Sequence, residues 1–149
     1  MKERKEYLDT LERWKDKRII KVITGVRRCG KSTLLELFQE RLIESGVDRS
    51  SIISVNFEDY ANIGLQDPMK LHEYILAHTQ EGQNYVFLDE IQNVQSFQQV
   101  VDSLYLRKNI DLYITGSNAY MLSGELASYL SGRYITIDML PLSFAEYVS

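Results

Sequence analysis

The chain has 149 residues, 44% of them hydrophobic and 26% charged, with a formal net charge of −4. That suffices for one compact domain with a buried core, and it excludes a disordered chain or a second full-sized domain. No apolar run approaches the roughly 20 residues of a membrane span, and the charged opening MKERKEYLDTLERWKDKR lacks the apolar stretch of a secretory signal. A single cysteine, Cys29, forms no internal disulfide, so a cytoplasmic protein with no membrane partner is expected.

Charge is spread unevenly. Residues 1–28 carry ten Lys and Arg against five acids, a net of +5, and residues 29–149 carry seven against sixteen, a net of −9. The basic opening reads as a solvated helix face, with contact to a phosphate backbone as the alternative.

In chain order, Tyr7, Leu8, Leu11 and Trp14 recur at a spacing of three to four, which predicts a short amphipathic helix over residues 3–16. The β-branched run 19–24 predicts a buried strand that stops at Gly25. Leu34, Leu35, Leu37, Phe38 and Leu42 predict a helix over 31–44, closed by Ser45 and Gly46. A second strand follows at 52–57, and Asp67-Pro68 opens a helix through Leu71, Tyr74 and Ile75. Strands at 85–88, 112–115 and 134–137 alternate with helices expected at 97–107 and 119–130. Five apolar strands separated by helices imply an α/β fold with a mostly parallel sheet covered on both faces. Residues 142–149 read as the start of another helix, so a longer parent chain is expected.

Three stretches carry chemistry. The first, Gly25-Val26-Arg27-Arg28-Cys29-Gly30-Lys31-Ser32, is a full match to G-x-x-x-x-G-K-[ST], expected by accident in about one chain of this length in a few hundred. Its glycines let successive backbone N–H groups converge on phosphate oxygens, and the helix that starts near Lys31 turns its positive end toward the same anion. Lys31 is expected to neutralise the β and γ phosphates, Ser32 to ligate Mg²⁺, and Thr33 to lie on the α-phosphate side. The second stretch is Tyr85 to Glu90, four apolar residues ending in two acids. Asp89 at the strand end suits the Mg²⁺ hydration shell, and Glu90 suits activation of a water for in-line attack on the γ-phosphate. The third is Thr115-Gly116-Ser117-Asn118, where Ser117 or Asn118 would sense the γ-phosphate, a turn with a helix cap being the alternative.

Taken together, GVRRCGKSTLL, VFLDEIQNV, TGSNA and SGRYITIDMLPLSFAEY resemble one group of prokaryotic AAA-type P-loop ATPases, in which this domain is usually followed by a small helical region and a nuclease-like C-terminal domain. The resemblance covers nearly the whole chain. It implies a P-loop three-layer sandwich with strand order 5-1-4-3-2, ATP as the nucleotide, and a division into a helical extension over 1–18 and an ATPase core over 19–149 without the helical lid. It also implies an arginine finger at Arg133 that acts on a neighbouring subunit's ATP in a homo-oligomer, with a surface salt bridge as the alternative. Asn56 resembles the polar residue that restrains the catalytic glutamate in related ATPases. The remaining loop positions, Val26, Arg27, Arg28 and Cys29, would surround the phosphates, with contact to a partner or plain solvation of Arg27 and Arg28 as the alternatives.

The expected activity is Mg-dependent ATP binding and hydrolysis coupled to conformational change. Two other readings stand beside it: a nucleotide-gated interaction module with little turnover, and a small-molecule P-loop kinase, which the water-activating Glu90 disfavours.

Overall fold

The computed structural model describes residues 2–26, 29–117 and 132–140. Among the described residues, the α-helices and strands in order are α1 (Lys2–Trp14), β1 (Ile20–Thr24), α2 (Lys31–Glu44), β2 (Ile52–Asn56), α3 (Pro68–His78), β3 (Asn84–Asp89), α4 (Phe97–Tyr105), β4 (Ile110–Gly116) and β5 (Tyr134–Asp138). The strands form one sheet of order β2-β3-β4-β1-β5, and every neighbouring pair is parallel. This is the expected order, read from the other edge. The helix expected over 119–130 and the helical start over 142–149 lie outside the described residues.

Position in the sheet explains how each strand reads in sequence. β3 is buried at all six residues and β1 at all five, as central strands covered on both faces must be. β2, at an edge, alternates, with Ile53 and Val55 buried and Ser54 and Asn56 exposed. Successive residues of a central strand serve opposite layers. Val86 and Leu88 pack with Leu71 and Ile75 of α3 and Val100, Val101 and Leu104 of α4. Tyr85 and Phe87 pack with Leu8 and Leu11 of α1 and Leu34, Phe38 and Leu42 of α2. Phe87 stacks on Tyr113 with ring centres 4.7 Å apart, and Phe38 lies 5.3 Å from Tyr113, which gives this layer an aromatic centre.

Short 3₁₀ turns at Arg49–Ser51 and Tyr60–Gln66 were not foreseen. Each starts at an aspartate, Asp48 or Asp59, whose side chain accepts a backbone N–H two residues on. Asp67 caps α3 through the Lys70 N–H at 2.9 Å, with Pro68 in the first turn as expected.

At the N-terminal end of the sheet a polar cluster is buried. Lys21 on β1 forms an ion pair with Asp111 on β4, both side chains being almost wholly buried, and donates to the Lys17 carbonyl at 3.0 Å. Asp111 also accepts from the Tyr113 hydroxyl at 2.8 Å and the Asp16 N–H at 2.9 Å. Tyr85 donates to the Asp16 carboxylate at 2.7 Å. Burial pushes the Asp111 carboxyl up and the Lys21 ammonium down from their ordinary values, and each partner's charge opposes that drift. Burial also raises both tyrosines. Among the described residues, no helix is long and apolar enough to cross a membrane.

Candidate functional site

A parallel sheet brings the C-terminal ends of its strands to one edge, and the first two chemical stretches meet there. β1 ends at Thr24 and passes into the glycine loop. Gly25 is fixed by crowding, because a methyl group there would lie 2.6 Å from the Cys29 sulfur and 3.1 Å from the Met139 carbonyl. Gly30 is fixed by its backbone, whose φ of 102° disfavours any residue with a Cβ, and it forms the N-terminal boundary of α2. Cys29, within the loop, is buried.

Lys31 opens α2 and is buried. Its ammonium donates to the Gly25 carbonyl at 2.8 Å and the Val26 carbonyl at 3.1 Å, and it lies 3.3 Å from a Glu90 carboxylate oxygen. Ser32 donates its hydroxyl to Asp89, 57 residues away. Thr33 is exposed in the first turn of α2, and Val26 is 51% exposed. Arg27, Arg28 and Asn118 lie outside the described residues.

Asp89 ends β3. Glu90 follows in a left-handed conformation, φ 60° and ψ 53°, which turns the chain and separates the two carboxylates. Thr115 on β4 joins them: its hydroxyl accepts the Glu90 N–H at 2.9 Å and donates to Asp89 at 2.5 Å. The Glu90 carboxylate accepts from the Gln92 amide at 2.6 Å. Ser117 shares a cavity of about 460 Å³ with Lys31, Phe57, Glu58, Glu90, Gln92 and Asn93.

Lys31, Ser32, Asp89 and Glu90 are thus brought together, and Ser117 borders the same space. Arg133 is not with them. It precedes β5 at the opposite edge of the sheet, accepts the Ile20 N–H on its carbonyl, lies 5.3 Å from the Tyr105 ring centre and pairs with Asp102 at 3.8 Å. Asn56 turns its side-chain oxygen to the Glu58 N–H at 2.9 Å, and Glu90 pairs with Lys31 and Gln92.

Sequence reasoning missed Thr115, Gln92 and Arg4. Thr115 stood within a stretch already singled out, but the next polar residues drew the sensor role. Arg4, read as part of a solvated face, lays its guanidinium over the loop. A methyl on Gly30 would meet its Nη2 at 2.8 Å, and its Nε is buried without an acceptor. Nothing in the helical spacing of α1 signals that contact.

A hydroxyl and a carboxylate within bonding reach of each other, beside a buried lysine, form a small hard-oxygen donor set that suits Mg²⁺, which takes few protein ligands and keeps several waters. Among the described residues there is no group of three or more His, Cys, Asp or Glu side chains that would form a cage of protein ligands.

Comparisons with known proteins bear on the family and the fold. The chain is 42% identical over 147 residues to an uncharacterized protein of Haemophilus influenzae, covering 97% of this chain and 37% of that one. It is 37% identical over 131 residues to an uncharacterized protein of Methanocaldococcus jannaschii, covering 87% of this chain and 28% of that one. The chain therefore spans about a third of the length of the curated relatives it matches. Among solved structures, Caenorhabditis elegans PCH-2 superposes with a TM-score of 0.64 at 19% identity over 96% of this chain and 43% of that one. The Drosophila ORC bound to AT-rich DNA and Cdc6 superposes with a TM-score of 0.62 at 16% identity over 100% of this chain and 59% of that one. A DNA polymerase III gamma subunit-related protein of Thermotoga maritima gives 0.65 at 11% identity over 93% of this chain and 47% of that one. These three likenesses show a shared fold. The model of the family described as AAA domain matches residues 17–148, and with that match over most of its length the chain belongs to the AAA family of P-loop NTPase domains.

Proposed function

We propose that this domain binds Mg-ATP at the C-terminal edge of the sheet, hydrolyses it, and couples turnover to conformational change. One observation carries the reading: two separate stretches of sequence meet in two direct pairs, Ser32 with Asp89 and Lys31 with Glu90, and the second pair lines a cavity. Lys31 exchanges the Gly25 and Val26 carbonyls for phosphate oxygens. Ser32 and Asp89 would hold Mg²⁺, which when bound neutralises phosphate charge. Glu90 takes the proton of a water as its oxygen attacks the γ-phosphorus. The bond from that phosphorus to the β–γ bridging oxygen breaks, leaving ADP and phosphate.

Arg133 is on the far side of the sheet from its own chain's site, so a role as an arginine finger requires a second copy of the domain that receives it. Tyr105 and Asp102 fix its present position.

The deciding experiment is Mg-dependent phosphate release from ATP, followed against protein concentration with Glu90→Gln and Lys31→Ala alongside. Glu90→Gln is expected to bind ATP and lose release. Lys31→Ala is expected to lose binding by about a hundredfold or more. Release per chain that rises with concentration supports a homo-oligomer with Arg133 acting across an interface. Full release by Glu90→Gln would falsify the assignment of the base. Tight binding without release by the wild type would favour the nucleotide-gated module. The observation that favours that second reading is the engagement of Glu90 by Lys31 and Gln92.

A further inference from the structure

We propose that Gln92 positions Glu90 for its action on the attacking water, an inference that rests on the hydrolytic reading above. The left-handed backbone at Glu90 starts a 3₁₀ turn, Ile91–Asn93, which brings the residue-92 side chain back beside residue 90. The turn is anchored: Ile91 and Val94 are buried, the Val94 N–H donates to the Ile91 carbonyl at 2.9 Å, and the Asn93 N–H donates to the Glu90 carbonyl at 3.2 Å. The Asn93 side chain adds a bond to the Phe57 carbonyl at 3.2 Å.

From that turn Gln92 donates its amide nitrogen to Glu90 Oε2 at 2.6 Å. The carboxylate therefore fixes which end of the amide is nitrogen, and the other end is Oε1. This oxygen is buried and accepts no hydrogen bond. That oxygen is closed to water, so the amide nitrogen is the end of Gln92 that acts, in a residue lining the cavity that also holds Lys31, Glu90 and Ser117. When Lys31 leaves Glu90 for phosphate, Gln92 remains as the carboxylate's partner. Glu90 then receives one proton of the water as its oxygen bonds to the γ-phosphorus and the bridging P–O bond breaks. No such task falls to Asn56, whose side chain is turned to Glu58.

The test uses the full chain with Gln92→Leu, which has neither donor nor acceptor, and Gln92→Glu, which keeps an acceptor oxygen and loses the amide donor. The readouts are kcat and KM for Mg-dependent phosphate release from ATP, the Kd of a non-hydrolysable ATP analogue, and the melting temperature. Both variants are expected to lose about tenfold to a hundredfold in kcat, with analogue Kd and KM within about twofold of the wild type and melting unchanged. A kcat within about twofold of the wild type in both variants overturns the proposal, while Glu90→Gln still lacking release would leave the hydrolytic reading intact. Loss of kcat in step with analogue affinity or melting temperature also overturns it, since the role would then be structural. Analogue binding with no release by the wild type removes the hydrolytic reading, and the role of Gln92 falls with it.

Discussion

Thr115 connects two carboxylates that are adjacent in sequence and divergent in space. Its single hydroxyl accepts from the Glu90 backbone and donates to Asp89, so both acids depend on one fully buried oxygen. Thr115→Val keeps the shape and removes that oxygen, leaving the Glu90 N–H without an acceptor. The expected loss is about 1–3 kcal/mol in urea unfolding, together with reduced phosphate release. Unchanged stability would mean that the N–H finds another partner. Lys31, Ser32, Asp89 and Glu90 were legible in the sequence because each lies in a contiguous string with its own physical logic. Thr115 was not singled out because its role depends on β4 lying beside β3. Gln92 was hidden for a different reason: it reaches Glu90 only because Glu90 adopts φ 60°, which no side-chain pattern announces.

Among the described residues, periodicity located the strands and helices well, and it misjudged what one strand contains. β1 reads as a plain apolar run, yet Lys21 sits within it fully buried, paired with a residue 90 positions away. Removing one member of such a pair leaves the other charged and dry. Asp111→Leu or Lys21→Met alone is expected to destabilise the fold by about 3–5 kcal/mol. The double replacement should cost less than either single change, and a double-mutant cycle by denaturant unfolding measures the coupling. Additive single costs would show that the two groups do not act as a pair. β3, β4 and β5 also extend past their predicted limits, while β1 and β2 each stop one residue short at one end. β3 begins at Asn84, whose buried amide bonds the Gln80 and Gly82 carbonyls and the Gln80 N–H. Asparagine is a poor strand former by type, and local bonding gives it that place. The 3₁₀ turns escaped notice because three to seven residues hold too few periods to read.

α1 contributes to both ends of the domain. Its apolar face supplies Leu8 and Leu11 to the layer that holds Leu34, Phe38 and Cys29. Arg4 covers Gly30, and the Tyr7 hydroxyl accepts the Leu140 N–H at 3.2 Å. Past the end of α1, Asp16 joins the buried polar cluster. The family match begins at residue 17, but the packed core begins earlier. A chain that starts at Lys17 is expected to lose about 3 kcal/mol or more, from the lost packing of Leu8 and Leu11 on the core and an unmet Tyr85 hydroxyl, and to bind ATP more weakly. Thermal unfolding and nucleotide titration of the shortened and full chains check both points, and equal melting temperatures would show α1 to be dispensable.

The strand order also carries a consequence for how the domain is made. β1 lies between β4 and β5, with Lys21 opposite Tyr113 and Ile135. Its sheet partners are thus synthesised some ninety residues after it, and until they emerge an apolar segment stands with both edges unpaired. Contacts across so long a stretch of chain form late and slowly. The phosphate loop hangs from the end of that strand, so it is shaped only once the second half of the chain has left the ribosome.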